Sequence, residues 1–228
     1  MKGKSNMKVA LCQINIEFEN KEYNKKKIIA KVKEAKNNEA NLCLFPEMTL
    51  TGFGINVELI GEKENKTIDF FRKICIDNNI NVGFGWVKKI NSSGENHFTI
   101  INYKGEIISD YIKIHPFSFS NEDKHYLSGE EIVKCTIDNT KLASFICYDL
   151  RFPEIFQCVS NDVDIIIVSA NWPQNRSEHW KTLLKARAIE NQVYILGVNC
   201  VGKIDGLYYS GDSCIIDPNG QVIESIEN

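Results

Sequence analysis

Three side chains with complementary chemistry lie far apart in the sequence, at Glu47, Lys113 and Cys147. Each follows an apolar run of strand length, and a Pro-Glu pair at 153–154, suited to the first turn of a helix, comes soon after Cys147. A thiol is a nucleophile, a buried carboxylate can accept its proton, and an ammonium can stabilise the oxyanion of a tetrahedral intermediate. The three residue types together predict acyl transfer through a thioester.

Cys147 lies where an apolar strand gives way to a polar stretch and then to a helix. A sharp turn of this kind exposes a side chain and holds it rigidly, and we expect the positive end of the helix to lower the pKa of the Cys147 thiol. The backbone amide of Tyr148 is expected to act with Lys113 as an oxyanion donor. A cysteine taken alone is more often a buried core residue. The presence of Glu47 and Lys113 favours the nucleophile.

Polar and aromatic residues follow a fourth predicted strand, at Asn171 and Trp172. Ligands of open α/β sheets bind beyond the carboxyl ends of the strands, so we expect all four strand ends to converge on one pocket. Trp172 is either a pocket wall or a core aromatic residue. Arg176, a few residues further on, is either a solvated loop arginine or a partner for a substrate carboxylate.

The elements that must position these residues combine apolar strands, amphipathic helices and hairpins. The patterns predict strands over 8–16, 41–45, 80–87, 163–169 and 193–199, helices over 21–38, 67–78 and 178–192 with a short one from 153, and hairpins over 97–112, 132–146 and 210–226. A long polar loop at 114–131 is of a length usually associated with function or disorder. We predict a single domain, 1–228, with mixed sheets covered by helices in three or four layers.

Composition excludes several classes of function. The formal net charge of −3 over 228 residues argues against nucleic acid as a main partner. No apolar run approaches the ~20 residues needed to span a bilayer, and no signal peptide is apparent, so we expect no membrane partner and a cytoplasmic location. The eight cysteines include no CxxC pair and the four histidines show no metal spacing, so we expect neither a metal nor another cofactor.

Three sequence blocks carry a family resemblance. They are FPEM with LTGF at 45–53, KIHPF at 113–117 and CYDLRFPE at 147–154, and in this order they resemble the signature blocks of the nitrilase superfamily of carbon–nitrogen hydrolases. The resemblance implies a four-layer αββα sandwich, with Glu47 as general base, Lys113 as oxyanion stabiliser and Cys147 as nucleophile. It also implies a second active-site glutamate in the loop after the lysine, which we match to Glu122 in preference to the pair at 130–131.

A downstream block resembles the omega-amidase branch of that superfamily. It comprises ANWP at 170–173, Arg176, and ARAIENQ at 186–192. The resemblance implies a small-molecule amide substrate, either 2-oxoglutaramate or a similar dicarboxylate monoamide, with Asn171, Trp172 and Arg176 binding it. Two alternatives remain within the same fold, an N-carbamoyl amidohydrolase and a general short-chain amidase. A third alternative is a catalytically silent scaffold that binds a partner.

Other charged residues receive structural interpretations. Asp149 and Arg151, beside Cys147, are predicted to fix the turn rather than to touch substrate. Arg187 and Glu190 lie three positions apart on a predicted helix and form an expected ion pair.

The resemblance also implies a homodimer, because the superfamily packs its sandwiches together in pairs. Many members continue past the last hairpin with a further strand and a segment that reaches across the dimer. This sequence stops at Asn228, so we expect either a longer product or a chain without that segment.

Overall fold

Two six-stranded sheets lie face to face, and helices cover their outer sides. The structure is a computed structural model that describes residues 7–226. The first sheet contains β1 (Val9–Leu11), β2 (Leu42–Leu44), β3 (Asn81–Ile90), β4 (Ser93–Ile101), β5 (Ile107–Ile112) and β6 (Tyr126–Leu127). The second contains β7 (Lys134–Ile137), β8 (Thr140–Ile146), β9 (Ile165–Ala170), β10 (Tyr194–Asn199), β13 (Ser213–Ile216) and β14 (Val222–Ile226). A separate hairpin is formed by β11 (Val201–Ile204) and β12 (Leu207–Ser210).

Six helices connect these strands: α1 (Lys21–Asn37), α2 (Val57–Ile60), α3 (Lys66–Asn78), α4 (Glu122–His125), α5 (Pro153–Ser160) and α6 (Ser177–Asn191). The start of α1 is capped by the Asn20 side chain, which accepts a hydrogen bond from the Tyr23 amide. Its buried residues, Ile28, Val32 and Ala35, recur at helical spacing and fix the face that packs. Within residues 7–226, none of the helices is both long and apolar enough to cross a bilayer.

Two large apolar cores separate the layers, and residues 7–226 contain a third, smaller apolar cluster. One fills the space between the sheets and extends beneath α5 and α6, where Phe156 and Trp180 are fully buried. The other lies between the first sheet and the pair α1 and α3, where the Phe71 ring stacks on Phe84 at 3.7 Å. The order of layers is therefore helix, sheet, sheet, helix. This confirms the predicted αββα sandwich and decides against three layers.

Strand directions bring the predicted site residues to one end of the molecule. In the first sheet β2 is parallel to β3, and β5 has the same direction because both β3 and β5 are antiparallel to β4. In the second sheet β8 and β9 are parallel. The loops after β2, β5, β8 and β9 carry Glu47, Lys113, Cys147 and Asn171, respectively.

Two local predictions differ from the structure. Of the strand predicted over 8–16, only the three residues of β1 form a strand. Its partner β2 is also three residues long, and the chain leaves the sheet at Pro46, which has no amide hydrogen to donate. The hairpin of β11 and β12 is missing from the prediction, although Asp205 and Gly206 form its tight turn with positive φ at both positions.

Candidate active site

Glu47 is positioned by a close approach between its loop and β3. A Cβ atom at Gly85 of β3 would lie 2.4 Å from the Met48 nitrogen and 2.8 Å from the Glu47 Cα. The same contact is fixed by hydrogen bonds, in which the Gly85 amide donates to the Thr49 hydroxyl (3.0 Å) and the Thr49 amide donates to the Gly85 carbonyl (2.9 Å). Only glycine at position 85 allows the backbone of Glu47 to lie this close to the sheet.

The fully buried carboxylate of Glu47 accepts hydrogen bonds on both oxygens. Oε1 accepts from the Lys113 ammonium at 3.0 Å and from the Asn96 side-chain amide at 2.9 Å. Oε2 accepts from the Asn171 backbone amide at 2.9 Å, and the Asn171 side chain donates to the Glu47 carbonyl at 2.6 Å. Asn171, predicted to bind substrate, therefore uses its side-chain amide to hold Glu47.

Lys113, directly after β5, forms ion pairs with two carboxylates. Its Nζ lies 3.0 Å from Glu47 Oε1 and 2.8 Å from Glu122 Oε2. Burial by itself would lower the pKa of Lys113, but the charges of Glu122 and Glu47 outweigh burial and raise the pKa well above its usual value. The ammonium stays charged and can stabilise a developing oxyanion.

Glu122 enters the site from the polar loop after Lys113. It is fully buried in the single-turn helix α4, and the Phe117 amide donates to its Oε2. Glu130 and Glu131 are exposed, so the structure brings the residue that we preferred into contact with Lys113. We call Glu47, Lys113 and Glu122 the polar floor.

Cys147 is the first residue of a five-residue 3₁₀ turn between β8 and α5. Its φ of +47° is rare for a residue other than glycine and shows the sharp turn that was predicted. The pKa of the thiol is not lowered as the sequence suggested. Burial, followed by the negative charge of Glu47, raises the pKa of Cys147 well above its ordinary value, and Lys113 offsets this only in part. The thiol therefore rests protonated and needs a base.

Asp149 ties the Cys147 turn to the strand that carries Lys113. Its Oδ2 accepts from the Tyr111 hydroxyl (2.8 Å) and the Ile146 amide (3.0 Å), and its Oδ1 accepts from the His115 amide (3.0 Å). These bonds cross from one sheet to the other. The prediction that Asp149 fixes the turn is confirmed.

Lys113 and Cys147 line an open cleft with about 510 Å³ of empty space, part of which is open solvent, and Glu47 and Glu122 are buried behind it in contact with Lys113. The lining residues above Cys147 are largely aromatic or cationic: Phe53, Phe117, Tyr148, Arg151, Trp172, Arg176 and Tyr209. We call these seven residues the cleft wall. The Tyr148 amide is near the start of the 3₁₀ turn, where helix geometry provides no acceptor, which suits the predicted oxyanion donor.

Both arginines of the cleft wall stack on aromatic rings. The guanidinium carbon of Arg151 lies 5.0 Å from the centre of the Trp172 ring, and that of Arg176 lies 5.0 Å from the Phe117 ring. Trp172 is buried, lines the cleft and donates from its indole to the Arg176 carbonyl at 2.7 Å. It is thus both a wall residue and a core residue. Arg151, predicted only to fix the turn, also lines the cleft.

Two buried asparagines at the site were not predicted from the sequence. Asn96 contacts Glu47 and Glu122, while Asn199 exchanges hydrogen bonds with the Trp172 backbone at 2.7 and 3.0 Å. Asn96 could have been found as a polar residue on the inward-facing side of an apolar strand, since alternation places it with Phe98.

The expected ion pair on α6 is present, with Arg187 Nη1 3.0 Å from Glu190. Arg187 also donates to the Leu150 carbonyl at 2.8 Å. Its side chain therefore holds the 3₁₀ turn after Cys147 against α6.

Comparisons with known proteins agree with the fold and with the family that the three sequence blocks resemble. Residues 8–227 match the family described as carbon-nitrogen hydrolase. Omega-amidase YafV of Yersinia enterocolitica is 35% identical over 185 residues, covering 81% of this chain and 72% of that protein. The 2-oxoglutaramate amidase of Bacillus subtilis (strain 168) is 32% identical over 194 residues, covering 83% and 75%.

A solved structure shows the same architecture. The CN-hydrolase superfamily protein XC1258 from Xanthomonas campestris, which carries an arsenic adduct in its active site, matches with a TM-score of 0.93 at 27% identity, covering 99% of this chain and 88% of that one. The resemblance to the nitrilase superfamily and its omega-amidase branch is confirmed. The chain belongs to the carbon-nitrogen hydrolase family.

Proposed function

We propose that this carbon–nitrogen hydrolase is an omega-amidase that cleaves the terminal amide of a short dicarboxylate monoamide, such as 2-oxoglutaramate, and releases ammonia. The observation that carries the chemistry is that Lys113 and Cys147 line one cleft, while the buried Glu47 contacts Lys113 and its charge acts on the Cys147 thiol. The substrate class is supported by the relatives named for omega-amide and 2-oxoglutaramate hydrolysis.

In the first half-reaction, Glu47 takes the proton from the Cys147 thiol as the sulfur attacks the amide carbon. The carbonyl oxygen becomes an oxyanion, which Lys113 and the Tyr148 amide stabilise. Glu47 then gives the proton to the amide nitrogen, the C–N bond breaks, and ammonia leaves. The acyl group stays on Cys147 as a thioester.

In the second half-reaction, Glu47 takes a proton from a water molecule as the water oxygen attacks the thioester carbon. The same donors stabilise the second oxyanion. The C–S bond breaks, the proton returns to the sulfur of Cys147, and the carboxylic acid leaves. One amide and one water are consumed, and one acid and one ammonia are formed.

Arg176 is our proposed partner for the distal carboxylate of the substrate. Its guanidinium lies against the Phe117 ring, and within residues 7–226 it forms no ion pair with a carboxylate. An arginine in this state can form a charge-assisted, bidentate pair with an incoming carboxylate. Such a pair would orient the substrate with its amide toward Cys147.

Ammonia release from a panel of compounds tests this function. We expect hydrolysis of 2-oxoglutaramate and related omega-amides, with weaker hydrolysis of neutral short-chain amides and of carbamoyl amines. Product from carbamoyl amines alone, or equal rates on all neutral amides, would replace the proposal by one of those two activities.

Replacing the nucleophile gives the largest expected effect. Cys147→Ala should reduce kcat by at least ~10³-fold, because the thioester route is lost, while its circular dichroism spectrum stays native. Cys158→Ser, at an exposed position on α5, is the matched control and should keep wild-type activity. A wild-type chain whose Cys147 resists alkylation and that releases no ammonia would instead indicate a binding scaffold.

A further inference from the structure

We propose that Asn96 is a positioning residue of the polar floor, which keeps Oε1 of Glu47 occupied so that Oε2 is the oxygen that exchanges the proton with Cys147. This inference rests on the proposed function, because it assigns the proton transfer to Glu47. Asn96 belongs to none of the three sequence blocks and lies in the middle of β4.

The Asn96 side chain bridges two carboxylates. Its Nδ2 lies 2.9 Å from Glu47 Oε1 and 3.0 Å from Glu122 Oε1, so each of its two hydrogens serves one carboxylate. The Lys113 ammonium contacts the same two oxygens at 3.0 and 3.1 Å. Glu47, Asn96, Glu122 and Lys113 thus form a closed ring of hydrogen bonds.

Counting lone pairs shows what this ring does to Glu47. A carboxylate oxygen has two acceptor sites, and both sites of Oε1 are filled, one by Lys113 and one by Asn96. Oε2 accepts from the Asn171 amide and keeps one site. Oε2 is therefore the oxygen of Glu47 with an acceptor site left to take the thiol proton.

The orientation of the Asn96 amide supports a role in the site. Turning the amide over would place its oxygen about 3 Å from two carboxylate oxygens, which is repulsive. In the orientation observed, the Asn96 Oδ1 is buried without a hydrogen-bond partner among residues 7–226. The orientation that donates to both Glu47 and Glu122 therefore leaves one buried oxygen without a hydrogen bond.

The charge of the donor also matters. The charged groups in hydrogen-bond contact around the bridge are Glu47, Glu122 and Lys113. The neutral amide of Asn96 orients both carboxylates without adding a second cation beside Lys113.

Asn96→Leu removes the amide while keeping the approximate shape of the side chain. We expect kcat to fall by about 10- to 100-fold with KM nearly unchanged, because Oε1 of Glu47 loses one of its two donors and the carboxylate is no longer held in one orientation. Asn81→Leu is the matched control. Asn81 is a buried strand asparagine that makes two hydrogen bonds away from the site, so its loss should lower Tm and leave kcat and KM unchanged.

A result in which Asn96→Leu lowers Tm as Asn81→Leu does, while kcat and KM stay at wild-type values, would overturn the proposal. If Asn96→Leu does not fold, Asn96→Ser decides by the same criteria.

Alkylation of Cys147 by iodoacetamide separates this inference from the proposed function. This test applies even if no amide is hydrolysed. Alkylation of Asn96→Leu that is roughly tenfold slower than that of wild type at pH 7, with equal rates at alkaline pH, supports a role of Asn96 in proton transfer. Equal rates at pH 7 contradict that role.

Discussion

The polar floor and the cleft wall are built from different interactions. In the polar floor, Glu47 and Glu122 are fully buried and Lys113 is 1% exposed, and hydrogen bonds from Asn96 of β4, from the Asn171 amide and between Lys113 and Glu122 fix the three groups. In the cleft wall, Arg151 and Arg176 are partly exposed and are held mainly by contacts with rings.

This difference separates the reaction from its specificity. A buried charge is tolerated only when its partners are in place, so each group of the polar floor depends on all the others. In the cleft wall, Arg151 contacts His179 Nδ1 at 3.1 Å as well as the Trp172 ring, whereas Arg176 lies over the Phe117 ring with its donors available to a ligand. We infer that substitutions in the polar floor change kcat, whereas substitutions in the cleft wall change KM and the choice of substrate.

Gly85→Ala tests the polar floor from a distance. The new Cβ would lie 2.4 Å from the Met48 nitrogen, so the backbone of Glu47 must shift. We expect kcat to fall by about 100-fold, the usual effect of a displacement of about 1 Å, and the free energy of unfolding to fall by about 1–3 kcal/mol. Steady-state kinetics and urea denaturation measure the two effects.

Gly83→Ala is the control for this variant. A Cβ at Gly83, on the same strand, would meet only the ends of the Leu44 and Phe98 side chains, at 2.8 and 2.9 Å. We expect a similar loss of stability with kcat within about threefold of wild type, because side-chain ends can move. Equal losses of kcat in the two variants would show that the close approach at Gly85 has no particular bearing on Glu47.

Arg176→Gln tests the cleft wall. Loss of a charge-assisted hydrogen bond, worth about 1.5–3 kcal/mol, should raise KM for a dicarboxylate monoamide by about 10- to 150-fold with little change in kcat. A neutral amide of the same length should be affected by less than about threefold. Hydrolysis of both compounds by the variant and by Arg72→Gln, on the distant helix α3, provides the comparison. Equal effects on the charged and neutral amides would remove Arg176 from carboxylate recognition.

The sequence predicted the polar floor better than the cleft wall. Glu47, Lys113 and Cys147 lie in short motifs at the ends of apolar strands, so local patterns locate them, and Glu122 followed from the family pattern. Asn96 was missed because its role depends on two carboxylates that are distant in sequence, 49 and 26 positions away. Alternation along β4 marks Asn96 as an inward-facing polar residue, but no local pattern reports which carboxylates it contacts.

The pKa of Cys147 shows a further limit of local reasoning. The sequence places the thiol at the start of a helical turn and so favours a lowered pKa, whereas burial and the charge of Glu47 raise it. These two causes depend on packing between sheets.

For the fold, periodicity predicted the layers and most of the helix limits. The three-residue length of β1 depends on where β2 ends, and the hairpin of β11 and β12 was not predicted.

Cys75 sharpens the comparison, because it is a buried ionisable group without the partners of the polar floor. It contacts the Ile101 carbonyl at 3.5 Å, and burial raises its pKa from 9.0 to about 12. The folded chain therefore keeps the thiol proton where the unfolded chain releases it. The stabilising contribution is complete below pH 9 and is lost as pH rises from 9 towards 12. At 1.36 kcal/mol per pH unit, the loss reaches about 2–3 kcal/mol at pH 11.

Cys75→Ala lacks this thiol, and its packing defect does not depend on pH. Urea denaturation at pH 8 and pH 11 should therefore show that the stability difference between wild type and Cys75→Ala narrows by about 2–3 kcal/mol. Cys158→Ala, at an exposed position on α5, is the control for replacing a cysteine by alanine. A constant difference for Cys75→Ala would mean that the Cys75 thiolate gains a stabilising partner in the folded chain, as the charged groups of the polar floor do.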